Sequence, residues 1–210
     1  MIKILIADDH AIVREGLKQI IAEDPDIVIE GEAGTGPEVL EKFRSNNYDI
    51  IILDISLPLM SGLDVLKEIK AIKHDQNVLM LSMHPEEQYA LRTLKAGASG
   101  YLTKDSAPAE LIKAVRRVST GRKYIGASLA EKFADYIDID HSKALHQSLS
   151  DREYQVLQMI ASGKSMKEIA QMLFISVKTV STYRSRVLDK MNMHSNAELT
   201  RYAIEQEIVE

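Results

Sequence analysis

IIILDISLPLMSG, residues 50–62, sets four apolar residues directly in front of a single carboxylate. Ile50, Ile51, Ile52 and Leu53 form a continuous run of strong β-formers, the pattern of a strand buried on both faces. Asp54 arrives where that strand should end. A buried acid is expensive unless it has a partner or a task. In open parallel sheets, groups that act on ligands gather at the carboxyl ends of the strands, near the point where strand order reverses. The stretch therefore predicts an α/β sheet with Asp54 at its working edge.

Working outward, two periods alternate up to about residue 121. Short β-rich runs lie at 2–7, 27–30, 50–53, 78–82 and 100–102. Helical periodicity fills 11–22, 37–44, 63–72, 85–96 and 108–119, with Pro37, Pro85 and Pro108 in first turns where a missing N–H costs nothing. Repeated β/α units with continuous apolar strands predict a parallel sheet covered on both faces and right-handed crossovers. The expected class is a flavodoxin-like, doubly wound five-stranded parallel sheet of order 2-1-3-4-5, joined to a small all-α helix-turn-helix domain.

That order makes strands one and three neighbours, so Asp8, Asp9 and Asp54 would converge. Ser82 ends the fourth strand and Lys104 follows the fifth, in GYLTKD. Three carboxylates together need compensation, which a hard divalent cation such as Mg2+ supplies. An Asp can also act as a nucleophile and form an acyl phosphate. Lys104 would then hold one phosphoryl oxygen and Ser82 would donate a hydrogen bond to another. Taken singly, Asp9 could cap the helix from Ala11, Lys104 could be a solvated lysine and Ser82 a local cap. Their joint placement at the ends of strands one, three, four and five favours a shared pocket. His10 and His84 flank that pocket; each reads first as a surface histidine or one supporting the pocket from behind, and either could still tune dephosphorylation through water access.

These residues, with Pro58, Gly62 and Tyr101, resemble a response-regulator receiver domain. The resemblance implies that Asp54 is a phosphoacceptor served by a sensor histidine kinase. It implies Mg2+ bound by Asp9, Asp54 and the Ser56 carbonyl, with Asp8 acting through water. It implies that Ser82 and Tyr101 form the conformational switch. Leu57 stands where many relatives carry Met. The only enzymatic character implied is Mg2+-dependent self-phosphorylation and self-dephosphorylation at Asp54.

Beyond Gly121–Gly126 a short helix is expected, with Leu129, Phe133, Tyr136 and Ile137 at helical spacing, then a polar linker through 147. The proposed boundaries are 1–121, a linker over 122–147, and a second domain over 148–210. The net charge of −5 is unevenly spread: 18 basic and 23 acidic residues precede Ser148, against 8 and 8 from there on. Within 164–192 the balance is 6 basic to 2 acidic, a segment asymmetry more telling than the total. Ser150 with Glu153, Ser165 with Glu168 and Ser195 with Glu198 read as capping boxes, and Ser176 as an N-cap without one. Helices are expected near 151–162, 166–173, 177–191 and 196–206.

In SVKTVSTYRSRVLDKM, residues 176–191, Val180, Val187, Leu188 and Met191 share one face, with Arg184 at its edge. Lys178, Ser181, Thr182, Ser185, Arg186 and Asp189 occupy the other. Small hydrogen-bonding groups with cations suit the major groove, and a short helix, tight turn and second helix form a helix-turn-helix pattern. With LSDREYQVLQMIASGKSMKEIA (149–170), the tail resembles the LuxR/NarL/FixJ type of DNA-binding domain. The resemblance implies a four-helix unit whose helix 177–191 reads operator DNA. Ser181, Thr182 and Ser185 would face bases, and Lys178, Thr179, Tyr183 and Arg186 phosphates. Dimerisation would use the last helix, near 195–206. Met166 stands where Asn is common. RNA polymerase is a further partner to consider.

The chain carries no cysteine, which excludes thiolate metal sites and cysteine nucleophiles. Its hydrophobic fraction of 45% suffices for packed cores. No apolar run reaches the ~18 residues of a membrane span, and MIKILIADDH turns acidic too early for a secretory signal, so a cytoplasmic protein without membrane partners is expected. One rival is a haloacid-dehalogenase-like phosphatase, but that chemistry uses a DxD motif and here Asp8-Asp9-His10 follows the first strand. Another is a regulator that binds DNA without phosphorylation.

Overall fold

The computed structural model describes residues 1–83, 86–126 and 145–209. The chain divides into two compact units, Met1–Asp138 and Ile139–Glu210. The expected helix over Leu129–Ile137, most of the linker, and the positions of His84 and Pro85 lie outside the described residues.

In the first unit the strands are β1 (Ile2–Ala7), β2 (Ile27–Ala33), β3 (Ile50–Asp54), β4 (Asn77–Ser82) and β5 (Gly100–Thr103). They form one parallel sheet in the order β2-β1-β3-β4-β5, as the alternation of periods predicts. The intervening helices are α1 (Ala11–Ile21), α2 (Gly36–Ser45), α3 (Gly62–Ile72), α4 (Glu86–Lys95) and α5 (Ala107–Ser119). Thr35 and Ser61 cap α2 and α3 by accepting the N–H of Glu38 and Asp64. Pro37 and Pro108 fall in first turns, as expected.

Alternation decides what each strand buries. Ile4, Ile6, Ile50, Ile52, Leu79 and Leu81 join Leu17 and Ile21 of α1 and Leu111, Ala114, Val115 and Val118 of α5 in one core. Leu5, Ile51, Leu53, Val78 and Met80 point the other way and are equally buried. Each fully buried Ile, Leu or Val side chain contributes about 1.5–3 kcal/mol, so both faces of the sheet hold the fold together. Most bounds differ from the sequence reading by a residue, and two differences bear on the sheet and the site. β2 continues to Ala33, because its pairing with β1 persists past a register shift at Ile4/Leu5. Asp54 is the last residue of β3 itself, paired with Leu81. After α5, Tyr124 lies parallel to Gly100 and donates its N–H to Ser99 O at 2.9 Å.

The second unit is helical. A 3-10 turn over Leu145–Ser148 leads to α6 (Asp151–Ala161), α7 (Met166–Met172), α8 (Val177–Met191) and α9 (Asn196–Glu205). The Ser150–Glu153 and Ser165–Glu168 capping boxes are complete. The third is shifted. Ser195 accepts the Glu198 N–H, but Glu198 takes the backbone N–H of His194, at 3.0 Å, rather than that of Ser195. Ser176 caps α8 through the Thr179 N–H. Asn192 ends α8 in the left-handed conformation, a common way for a helix to stop. Val156, Leu157, Ile169, Val180, Val187, Leu199 and Ala203 form its core.

Candidate functional site

Register brings the acidic residues together. Ala7 lies opposite Leu53 across the β1–β3 pair, so Asp8 emerges beside Asp54. Ser82 lies opposite Thr103, which places Lys104 immediately beyond, with its N–H on Ser82 O at 2.7 Å. The Lys104 ammonium then reaches back across the sheet end. It stands 2.6 Å from Asp8 Oδ2 and 2.8 Å from Asp54 Oδ2. All three side chains are buried, at 8%, 0% and 2% exposure.

The loop after β3 completes the pocket. Ser56 N donates to Asp54 Oδ1 at 3.2 Å, and Gly62 N returns to Ile55 O at 2.9 Å. A Cβ on Gly62 would overlap the Asp54 carbonyl oxygen, so only glycine permits this tight return. Leu59, between them, has φ of 66°, an uncommon conformation for a branched residue. Leu57 is buried. The stretch from Ile50 to Gly62 is thus a buried strand, an acid at its tip, and a constrained loop that folds back beside that acid.

Asp9 does not cap α1. His10 holds that position without a side-chain capping bond. Instead Asp8 Oδ1 accepts the His10 backbone N–H at 2.9 Å, and the His10 ring nitrogen Nδ1 lies 2.7 Å from Asp9 Oδ1. Ligand atoms of Asp8, Asp9, His10 and Asp54 all lie within 4.8 Å of one another. Asp8 Oδ2 and Asp9 Oδ1 are buried and each faces a single nitrogen, Lys104 Nζ at 2.6 Å and His10 Nδ1 at 2.7 Å. Carboxylate oxygens with unspent lone pairs fit a hard divalent cation.

Electrostatics separate the two ends of the Lys104–Asp54 pair. Burial pushes the Asp54 carboxyl above its ordinary value, more than Lys104 pulls it down, and Asp8 adds to the rise. Burial works against the Lys104 charge too, but the Asp54 and Asp8 carboxylates outweigh it and raise the ammonium. One cation facing two acids is over-compensated, while each acid is under-compensated. A second positive charge would relieve that imbalance.

Ser82 and Tyr101 are both buried, at 1% and 0% exposure, with Tyr101 paired to Met80 in the sheet.

In the second unit the outward face of α8 is as its periodicity predicts. Lys178, Ser181, Thr182, Ser185, Arg186 and Asp189 are exposed, and Thr179 and Tyr183 are half-buried. Val180, Val187 and Met191 are buried beneath them, while Leu188 is half-buried. Thr182 Oγ1 donates to Lys178 O at 3.1 Å. Arg184 donates to Asn196 Oδ1 at 2.6 Å, which ties α8 to α9. One anchor was not legible in the sequence. Lys190 Nζ lies 2.6 Å from Glu153 Oε2, linking the end of α8 to the cap of α6. Glu153 reads only as a local capping residue, because nothing local points across 37 positions.

Residues 4–116 match the family described as response regulator receiver domain, and 147–203 the bacterial regulatory proteins of the luxR family. The chain belongs to the LuxR-family response regulators. This response regulator is 37% identical over 205 residues to response regulator UvrY of Escherichia coli K12, covering 97% of this chain and 94% of that one. It is 37% identical over 216 residues to oxygen regulatory protein NreC of Staphylococcus epidermidis, covering 99% of each. Among solved structures, the two-component response regulator RcsB in complex with DNA is 25% identical, with a TM-score of 0.61, over 97% of this chain and 98% of that one. The response regulator thus joins a receiver to a DNA-binding unit. No helix among the described residues is long and apolar enough to cross a membrane.

Proposed function

We propose that Asp54 accepts a phosphoryl group from a sensor histidine kinase and that this modification controls operator binding through α8. The observation that carries it is the Lys104 ammonium, placed within 2.8 Å of both Asp8 and Asp54 at the carboxyl end of the sheet. An Asp54 oxygen attacks phosphorus, the N–P bond of the donor phosphohistidine breaks, and the imidazole leaves with a proton. Asp9, Asp54 and the Ser56 carbonyl would hold Mg2+, with Asp8 acting through water, and the ion when bound supplies neutralisation of charge on the transferring group. Lys104 releases its direct contact with Asp54 to hold a phosphoryl oxygen. Ser82 turns its hydroxyl to another. Hydrolysis of the acyl phosphate by water restores Asp54.

The switch follows from local charge. A phosphoryl group adds about −1.5 to −2 of charge and three acceptors. Ser82 moves toward it, and Tyr101 turns into the space vacated. The equilibrium shifts only by the preference of the phosphoryl group for one arrangement.

In this reading residues 1–121 are the receiver, 122–147 the linker and 148–210 the DNA-binding domain. Ser181, Thr182 and Ser185 face base edges, while Lys178, Thr179, Tyr183 and Arg186 contact phosphates. A surplus of few cations neutralises few phosphates, so a dimer through α9 on paired half-sites is the effective species. The protein acts in the cytoplasm, with RNA polymerase as a further contact. RcsB, solved with DNA, supports this mode of action.

The test is phosphorylation at one residue. Incubation with a small acyl-phosphate donor and Mg2+ yields one hydroxylamine-labile phosphoryl group on the wild-type chain and none on Asp54→Asn. Equal labelling of both would refute the assignment.

A further inference from the structure

Asp8 anchors Lys104, and Asp8 is itself held from several sides. Its N–H donates to Ala33 O at 3.1 Å, its Oδ1 accepts the His10 N–H at 2.9 Å, and its Oδ2 meets Lys104 at 2.6 Å. The last hold comes from a helix. The β1 ladder stops at Ala7, which pairs with Ala33 and Leu53. Beyond it, the Asp8 carbonyl accepts from Arg14 Nη1 at 2.7 Å. A main-chain carbonyl past the end of its strand needs such a donor. The same guanidinium donates from Nε to Glu32 Oε2 at 3.1 Å. Glu32 lies opposite Ile6 in the β1–β2 pair, so it stands on the α1 face of the sheet. Lys18, one turn beyond Arg14, donates to Glu32 Oε1 at 2.9 Å. Lys18 holds the Glu32 carboxyl below its ordinary value of 4.5 against the pull of burial, and Arg14 adds to the effect. A surface ion pair alone is worth little. This one differs because its cation also grips the backbone of a pocket residue. A planar guanidinium spans two acceptors at fixed angles, which a single ammonium does not.

We propose that Arg14 is a positioning residue for phosphoryl acceptance: anchored on Glu32, it fixes the Asp8 carbonyl and with it the carboxylate that holds Lys104 beside Asp54. The inference rests on the phosphoacceptor reading of Asp54. Without Arg14 the peptide between Asp8 and Asp9 is free to turn. A displaced Asp8 carries Lys104 with it, and small misplacements of a catalytic cation are costly to rate.

The experiment uses the full chain, acetyl phosphate as donor and Mg2+ in excess. The rate of Asp54 labelling is compared in wild type, Arg14→Gln, Arg14→Lys, Glu32→Gln and the double variant Arg14→Gln with Glu32→Gln. Arg14→Gln lowers the rate about tenfold. Arg14→Lys recovers less than about half of that loss, because it keeps the charge and not the fork. Glu32→Gln slows labelling in the same direction, and the double variant is no slower than Arg14→Gln alone, the mark of two residues acting through one contact. The amide nitrogen of Asp9, which shares a peptide group with the Asp8 carbonyl, shifts its magnetic resonance in Arg14→Gln. Circular dichroism checks that the variants keep the fold. An unchanged rate in Arg14→Gln, with the wild type labelled, overturns the role of Arg14 and leaves the phosphoacceptor reading standing. Full recovery by Arg14→Lys, or additive losses in the double variant, overturns the Glu32–Arg14–Asp8 chain. No labelling of the wild type overturns the phosphoacceptor reading and this inference with it.

Discussion

The Lys104 ammonium donates to Asp54 Oδ2 at 2.8 Å, joining the loop after β5 to the tip of β3. The pair is buried and shares its cation with Asp8. Removing one partner of such a pair leaves an uncompensated buried charge, which costs about 3–5 kcal/mol. Lys104→Ala is therefore expected to destabilise the receiver by about 3 kcal/mol at neutral pH. Urea unfolding followed by circular dichroism measures it. The loss should shrink in acid, as Asp54 becomes neutral, and on adding Mg2+, which replaces the missing charge.

Asp54 itself is held at a cost. Because its folded pKa lies above the ordinary 3.8, folding favours the protonated acid. The penalty is fully present above the raised pKa and vanishes below the ordinary one. Asp54→Asn is thus expected to stabilise the receiver by roughly 0.5–2 kcal/mol at neutral pH, the usual gain when a functional residue is removed. Thermal unfolding at neutral and acid pH checks this, and the gain must fade as pH falls.

Glu153 has the opposite sign. Burial works against its charge, but Lys190 and the Ser150 cap together hold its carboxyl below the ordinary 4.5. Its contribution is present above 4.5 and lost as pH falls through the lowered value. Glu153→Gln should cost about 1 kcal/mol at neutral pH, with the gap to wild type closing in acid. A gap that persists in acid would mean that the role of Glu153 is steric.

On α8, phosphate and base contacts separate by their salt dependence. Arg186→Ala should weaken binding to all DNA sequences alike and lower the salt slope by about 1 per protomer. Ser181→Ala should leave the slope unchanged and reduce discrimination between operator and random DNA. Filter-binding or anisotropy titrations at several salt concentrations measure both.

How much of this was legible depended on distance along the chain. The run Ile50–Leu53 announces a buried strand because period and composition are local signals, and its pairing with β1 and β4 follows from topology rules. The convergence of Asp8, Asp9 and Asp54 was legible for the same reason: strand order alone brings them together. The Lys104 bridge was visible as a position but not as a contact, since the sequence does not say which acids a flexible lysine reaches. Glu198 misled because a Ser-x-x-Glu spacing does not say whether the acid takes the N-cap amide or the one before it. Lys190 and Glu153 were invisible as partners because packing of α8 on α6 brings them together. Gly62 was legible only as part of the receiver pattern, while its contact with the Asp54 carbonyl required the loop to be closed.

The central claim is that the receiver's acid governs the DNA-binding helix. The direct measurement is the affinity of the full chain for its operator, at fixed salt, with Mg2+ and with or without beryllofluoride as a phosphoryl mimic. The expected result is about a tenfold tightening, within the usual span of coupling between sites, and its loss in Asp54→Asn. Equal affinities with and without beryllofluoride, for a chain that still binds operator DNA, would contradict phosphoryl control.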